Sequence, residues 1–192
     1  MLSLARSLGV LHSDLPPSCL AHAGKYSGRL LIVSTGWNVL ADLAKYDLGG
    51  DRMAVKEVGM TLFPCGHWFS CHQDETVGWE AVRETMATQV LIDRTPPVMH
   101  GKQGGRWLPW PISGEWGFDS GQSAAIVGCL LGYDEIWLAG MPCDGGGHYY
   151  PWKTGVDDEP LDGRLSFWVK LRDKFFQGKV KSLSGNTRDI LT

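Results

Sequence analysis

Four stretches of this sequence carry side chains whose types and spacing could do chemistry. Phe118-Asp-Ser-Gly-Gln-Ser-Ala-Ala125 has the composition of a helix start. Asp119 or Ser120 can cap it, and the unsatisfied first-turn amides of a helix attract phosphate or carboxylate. Gly121 would let a ligand approach the backbone. The plainer alternative is a capped helix whose small residues pack on a sheet. Ser34-Thr-Gly-Trp-Asn38 follows an apolar run, where the first strand-to-helix turn often meets a ligand. Gly36 and Asn38 are its candidate contacts. One glycine falls far short of a dinucleotide fingerprint, however, and Thr or Asn there could simply cap a helix.

Asp144-Gly-Gly-Gly-His-Tyr-Tyr150 sets His148 behind three glycines. Imidazole titrates near neutrality and serves as a general acid or base. A surface histidine without a task is the alternative. Asp144 could orient it, hold a metal or close the turn. Cys65-Gly-His-Trp-Phe-Ser-Cys-His72 crowds four candidate zinc ligands into eight residues. On a pleated strand Cys71 and His72 point to opposite faces, and paired knuckles are missing. No metal site is expected there. His72 is instead expected to emerge at the strand end and, with Asp74, to line a ligand cleft. Trp107, Trp110 and Trp116, near Lys102 and Arg106, could stack on a ring or form a lid.

The elements that must position these groups read as follows. A short helix is expected near Ser3 to Leu8, then coil through a lead-in ending at residue 28. Arg29 to Ser34 is a continuous apolar run and reads as a buried strand. Val39 to Ala44 is helical and stops near Gly49. Arg52 to Val55, His67 to His72, Gln89 to Ile92 and Val98 to His100 are short strand candidates. Thr76 to Thr88 reads as an amphipathic helix with Val77, Ala81 and Val82 on one side. Gly101 to Phe118 is a functional loop or a hairpin. Ser120 to Leu131 is a helix, Glu135 to Ala139 a buried strand, Leu165 to Phe176 a helix and Val180 to Leu183 a last strand. Strands alternating with helices imply an α/β domain, Rossmann-like, with a mostly parallel sheet and helices on both faces over residues 29–192.

Composition bounds the function. The chain has 192 residues, 18 basic and 21 acidic, for a net charge of −3. That suits one domain with a sizeable core, and without a basic excess no dedicated nucleic-acid binding is expected. Hydrophobic residues at 43% and charged residues at 20% exclude a disordered chain. Apolar runs such as Leu30 to Val33 and Ala124 to Val127 are too short to cross a bilayer, and residues 1–11 lack a signal-peptide pattern. The five cysteines are unpatterned, as reduced thiols in a cytoplasm would be. Self-association is left open. Many of the 25 glycines concentrate in Gly101 to Gly121 and Gly140 to Gly155.

Asp119-Ser-Gly-Gln-Ser-Ala-Ala-Ile-Val-Gly-Cys-Leu-Leu-Gly-Tyr-Asp-Glu-Ile-Trp-Leu-Ala-Gly140 resembles a stretch of the family 42 bacterial sialyltransferases. It is similar also to DUF115 and 6-hydroxymethylpterin diphosphokinase-like proteins, and to small phage and prophage proteins of that group. The resemblance implies a Rossmann-like nucleotide-binding superfamily. By it, Ser120 and Gly121 would contact a nucleotide or nucleotide-sugar and Gly36 with Asn38 would flank its phosphates. His148 would be the base of a glycosyl transfer, with His72 lining the cleft. A diphosphate transfer from ATP is the second reading, with Mg²⁺ on Asp144, Asp74 and Asp119. A non-catalytic nucleotide-binding or interaction protein is the third, and a zinc protein on the Cys65 to His72 segment is the fourth.

Overall fold

The computed structural model describes residues 15–45, 49–62, 64–72, 74–90, 95–101, 107–112, 119–149 and 161–192. In chain order its elements are α1 (Pro17–Leu20), β1 (Arg29–Val33), α2 (Val39–Lys45), β2 (Asp51–Val55) and a 3-10 turn (Lys56–Met60). Then come β3 (His67–Ser70), α3 (Thr76–Val90), β4 (Val98–Gly101), β5 (Leu108–Pro109), α4 (Ser120–Leu131) and β6 (Glu135–Ala139). The chain ends with α5 (Leu161–Leu171), its π-helical continuation Arg172–Phe176, β7 (Val180–Ser182) and α6 (Gly185–Leu191). The seven strands form one sheet in the order β5-β4-β3-β2-β1-β6-β7. Every neighbouring pair is parallel. This is the α/β, Rossmann-like architecture expected from the alternation of strands and helices.

Side-chain alternation sorts the core onto two faces. Leu30, Ile32, Met53, Val55, Phe69, Ile136 and Leu138 pack with α4 and with Trp168, Leu171 and Phe175. Leu31, Val33, Ala54, Trp68 and Ala139 pack with Val39 and Val58 on the other face. Every residue of α4 except Gly121 is buried, because the helix lies between the sheet and a second layer. A helix apolar all round needs such a double cover.

Part of that cover comes from the lead-in. Residues 17–20, expected as coil, form a helical turn with Pro17 at its first position, where the missing N–H costs nothing. Leu15 and Cys19 join the core. Gly24 N–H donates to Leu130 O at 2.9 Å and Tyr26 N–H to Leu131 O at 3.0 Å, satisfying carbonyls at the end of α4. The expected helix at Ser3 to Leu8 lies outside the described residues, as do most of Gly101 to Phe118 and the end of the Met141 to Leu161 loop. Leu108–Pro109 pairs parallel to β4, so its described part is not a hairpin.

Two further expectations change. Gln89 and Val90 close α3 and form no strand, since a short apolar run does not distinguish a strand from a helix end. Val77, Ala81 and Val82 face outward. The inward side of α3 is chosen by Arg83, whose guanidinium donates to Gly59 O at 2.6 Å and Leu62 O at 3.0 Å. The same group stands 6.0 Å from the centre of the Trp68 ring. The same side carries the buried Thr76 and Ala87 and sets Trp79 against the core, so this face is buried in place of the two valines.

A buried polar chain runs across the sheet toward the amino ends of β2 and β3. Trp110 Nε1–H donates to His100 Nδ1 at 3.0 Å. His100 must therefore carry its proton on Nε2, which meets His67 Nδ1 at 3.0 Å. His67 in turn carries its proton on Nε2, facing Tyr133 Oη at 2.9 Å, and the Tyr133 hydroxyl donates to Asp51 at 2.6 Å. One indole thus sets the direction of four hydrogen bonds. Burial pushes His67 down to about 4 and His100 well below its ordinary value.

Candidate functional site

Strand order reverses beside β1. The chain moves outward from β1 through β5, then returns to place β6 on the other side of β1. Ligands of doubly wound sheets sit beyond the carboxyl ends of the strands at such a reversal. Here the two loops leaving that point, 34–38 and 140–149, are clasped together. Gly36 N–H donates to Gly140 O at 2.8 Å, Trp37 N–H to Gly147 O at 3.2 Å and Tyr149 N–H to Thr35 O at 2.6 Å. Gly36 and His148 form an antiparallel bridge. The approach explains Gly36, since a Cβ there would stand 2.4 Å from Gly140 O and 2.7 Å from Pro142 Cδ.

Side chains reinforce the clasp. Thr35 Oγ1, buried, lies 2.8 Å from His148 Nδ1. Trp37 Nε1–H donates to Asp144 Oδ1 at 3.1 Å. Gly146 passes under the Trp37 ring so closely that a Cβ would fall 2.0 Å from Nε1. Beneath, the buried Asp42 carboxylate accepts from Gly140 N–H at 2.9 Å, Ser184 Oγ at 2.8 Å and Asn38 Nδ2 at 3.3 Å. Asn38 Nδ2 also donates to Ser184 Oγ. Thr187 Oγ1 donates to Met141 O at 2.6 Å and Asn186 Nδ2 to Cys143 O at 2.9 Å. The loop after β6 is therefore anchored at its root by α6 and across its middle by the turn after β1.

The start of α4 lies farther along the same edge. Asp119 caps it, accepting from Gln122 N–H at 2.6 Å. Burial raises the Asp119 carboxyl, opposed by the Gln122 amide, Lys56, Arg164 and the Gly121 amide. Ser120 Oγ accepts from Cys71 N–H at 3.3 Å, which brings the exposed His72 next to the helix start. A side chain on Gly121 would press on Met141 Sδ. Lys56 (φ 53°) and Cys143 (φ 47°), two of three described non-glycine residues in the left-handed region, both lie at this edge. Strain of that kind clusters where a ligand is held.

The structure thus brings His148, Gly36, Thr35, Trp37 and Asp144 together, and separately gathers Ser120, Gly121 and His72. Gly36 and Asn38 face inward, with the Gly36 amide bonded to Gly140 and the Asn38 amide bonded to Asp42 and Ser184. Both help to hold the clasp together. The three carboxylates proposed for Mg²⁺ are not gathered: Asp119 is a helix cap, Asp74 is exposed and Asp144 holds Trp37. Among the described residues no group of three or more His, Cys, Asp or Glu could hold a metal ion. Cys65 donates to His67 O at 2.8 Å while its neighbour His67 belongs to the buried chain. The sequence offers Thr35 only as a possible helix cap and gives no role to Asp42 or Arg164, whose roles depend on partners distant in the chain. Comparison with protein-family models, with curated proteins and with solved structures returns no match.

Proposed function

We propose that this protein is a transferase acting on a nucleotide-linked sugar, with His148 as the base that takes the acceptor's proton. The observation that carries this reading is the anchored imidazole at the strand reversal. If Thr35 Oγ1 accepts Nδ1–H, the lone pair on Nε2 is the one a general base needs. A histidine held by a buried hydroxyl across the middle of a glycine-rich loop is oriented before any ligand arrives.

The start of α4 supplies the anion seat. Ser120 Oγ and the positive field of Lys56 and Arg164 favour a phosphate leaving group beside this helix end, whose Gln122 amide is already bonded to Asp119. His72 stands beside it and would donate to the same oxygens. The bond from the anomeric carbon to phosphate breaks as the acceptor oxygen attacks, and the acceptor's proton passes to His148. No metal takes part in this scheme. No helix among the described residues is long and apolar enough to cross a membrane. All five cysteines are free thiols, in keeping with a cytoplasmic setting.

Calorimetric titration with CMP, UDP, ATP and their sugar conjugates tests the reading. Binding at millimolar concentration or tighter is expected for at least one, with slow release of free nucleotide from its sugar conjugate. His148→Ala should abolish release and keep binding. Binding without release in the wild type, whatever acceptor sugar is added, would favour a non-catalytic nucleotide-binding protein. No binding by any of them would sink the proposal.

A further inference from the structure

The clasp differs from an ordinary phosphate-binding turn in three respects. Residues 34–38 and 140–149 contain no lysine or arginine, and Asp144 carries their single formal charge. The amides of Gly36 and Trp37 are already bonded to the carbonyls of Gly140 and Gly147. An anion brought here would meet a carboxylate and would find neither of these two turn amides free. The clasp therefore suits an occupant other than phosphate.

Trp37 points to what that occupant is. Among the described residues the large apolar side chains left exposed are Trp37, Leu40, Val77, Val82 and Tyr149. The two valines are on α3, whereas Trp37, Leu40 and Tyr149 all flank the clasp. Trp37 is 51% exposed and yet firmly held. Its indole edge is bonded to Asp144, its amide to Gly147, and Gly146 packs against the ring. A single exposed aromatic needs no explanation. One fixed from two sides with ring area left open is a preformed stacking surface, and Asp144 at its edge is an acceptor for hydroxyl groups.

We infer that the clasp seats an uncharged carbohydrate ring, its C–H face on Trp37 and its hydroxyls toward Asp144 and His148. A pyranose offers both an apolar face and several O–H donors, and it brings no negative charge to Asp144. The inference deepens the transferase reading, because it names the chemical class of the ring bound beside His148. It excludes an anionic sugar from that seat.

The test follows the Trp37 indole N–H resonance in a two-dimensional ¹H–¹⁵N spectrum, assigned through Trp37→Phe. The probes are neutral methyl hexopyranosides and disaccharides, N-acetylneuraminic acid, CMP and UDP. At least one neutral glycoside should shift the resonance saturably. Its affinity, followed in the variants through the Gly147 and His148 backbone amide resonances, should fall about tenfold in Trp37→Ala and less in Trp37→Phe and Asp144→Asn. If no neutral glycoside moves the resonance at millimolar concentration, or if only the anionic sugar or the nucleotides move it, the inference is overturned. Equal glycoside affinity in wild type and Trp37→Phe and →Ala also overturns it. The nucleotide arm reads separately: glycosides shifting Trp37 in a chain that binds no nucleotide would remove the nucleotide-linked donor and leave the sugar seat.

Discussion

Acidification should destabilise this protein through the Trp110–His100–His67–Tyr133–Asp51 chain. A charged His67 carries protons on both nitrogens, so His100 Nε2 would have to accept a hydrogen bond. His100 Nδ1 already accepts from Trp110, and a neutral imidazole cannot accept at both positions. One of the two buried bonds must break. Burial lowers His67 from 6.5 to about 4; nearby Asp51 pulls it upward, and His22 adds to the lowering. Its folded value lies below its unfolded one, so the folded state binds fewer protons. The stability it contributes is whole above pH 6.5 and is lost as pH falls toward 4. At about 1.4 kcal/mol per pH unit, the interval is worth about 3 kcal/mol, with about 2 kcal/mol gone by pH 5. His100 adds in the same direction. Glu135, held down to about 2 by Lys181 and Arg29, loses its contribution only below its unfolded value of 4.5 and leaves the pH 7 to 5 window clear. Urea unfolding at pH 7 and pH 5 measures the loss. His67→Gln, which keeps an acceptor and a donor but does not titrate, should recover about 2 kcal/mol of it. Long-range ¹H–¹⁵N spectra should show both histidines protonated on Nε2. Stability unchanged between pH 7 and pH 5, or a proton on Nδ1 of His67, would refute the reasoning.

Other outcomes follow from the clasp and from α4. Gly36→Ala forces a Cβ onto Gly140 O and should cost about 1–3 kcal/mol in urea unfolding. Thr35→Val removes the partner of His148 and should cost about 1 kcal/mol, while moving the pH profile of nucleotide-sugar turnover. Asp119→Ala removes the cap of α4 and should lower stability by about 1 kcal/mol, whereas Asp119→Asn should retain most of it. Asp42→Ala leaves Gly140 N–H, Ser184 Oγ and Asn38 Nδ2 without their shared acceptor, and should loosen both loops, read as faster amide exchange at Gly36 and Gly140.

The parts of the fold legible in the sequence share one property, that a local pattern decides them. β1 and β6 are unbroken apolar runs set off by glycines, and α4 is framed by Asp119 and Gly132. Helix α1 is not legible in the sequence because its four residues, beginning at the second of two prolines, carry no periodicity. The face of α3 is not legible because Arg83 is charged, yet it is buried with Thr76 and Ala87 and tied to carbonyls of the preceding segment. In the site, glycine at 36 announced a close approach but not its partner, which is another loop. His148 could be singled out from its own neighbours. Thr35, which holds it, could not, being 113 positions away. The histidine chain is hidden for the same reason, its members coming from strands and loops far apart in the sequence.

The central position of β1 also bears on how the chain is made. β1 pairs with β2, a near neighbour in sequence, and with β6, whose Glu135 lies 106 positions beyond Arg29. At about 5–20 residues per second, a ribosome needs roughly 5–20 s to deliver β6 after β1. Through that interval Leu30 to Val33 offers a bare backbone edge flanked by apolar side chains. Such an edge invites pairing with another nascent chain. A shielding chaperone, or slow translation after β5, would therefore bear on yield more than any change at the finished surface.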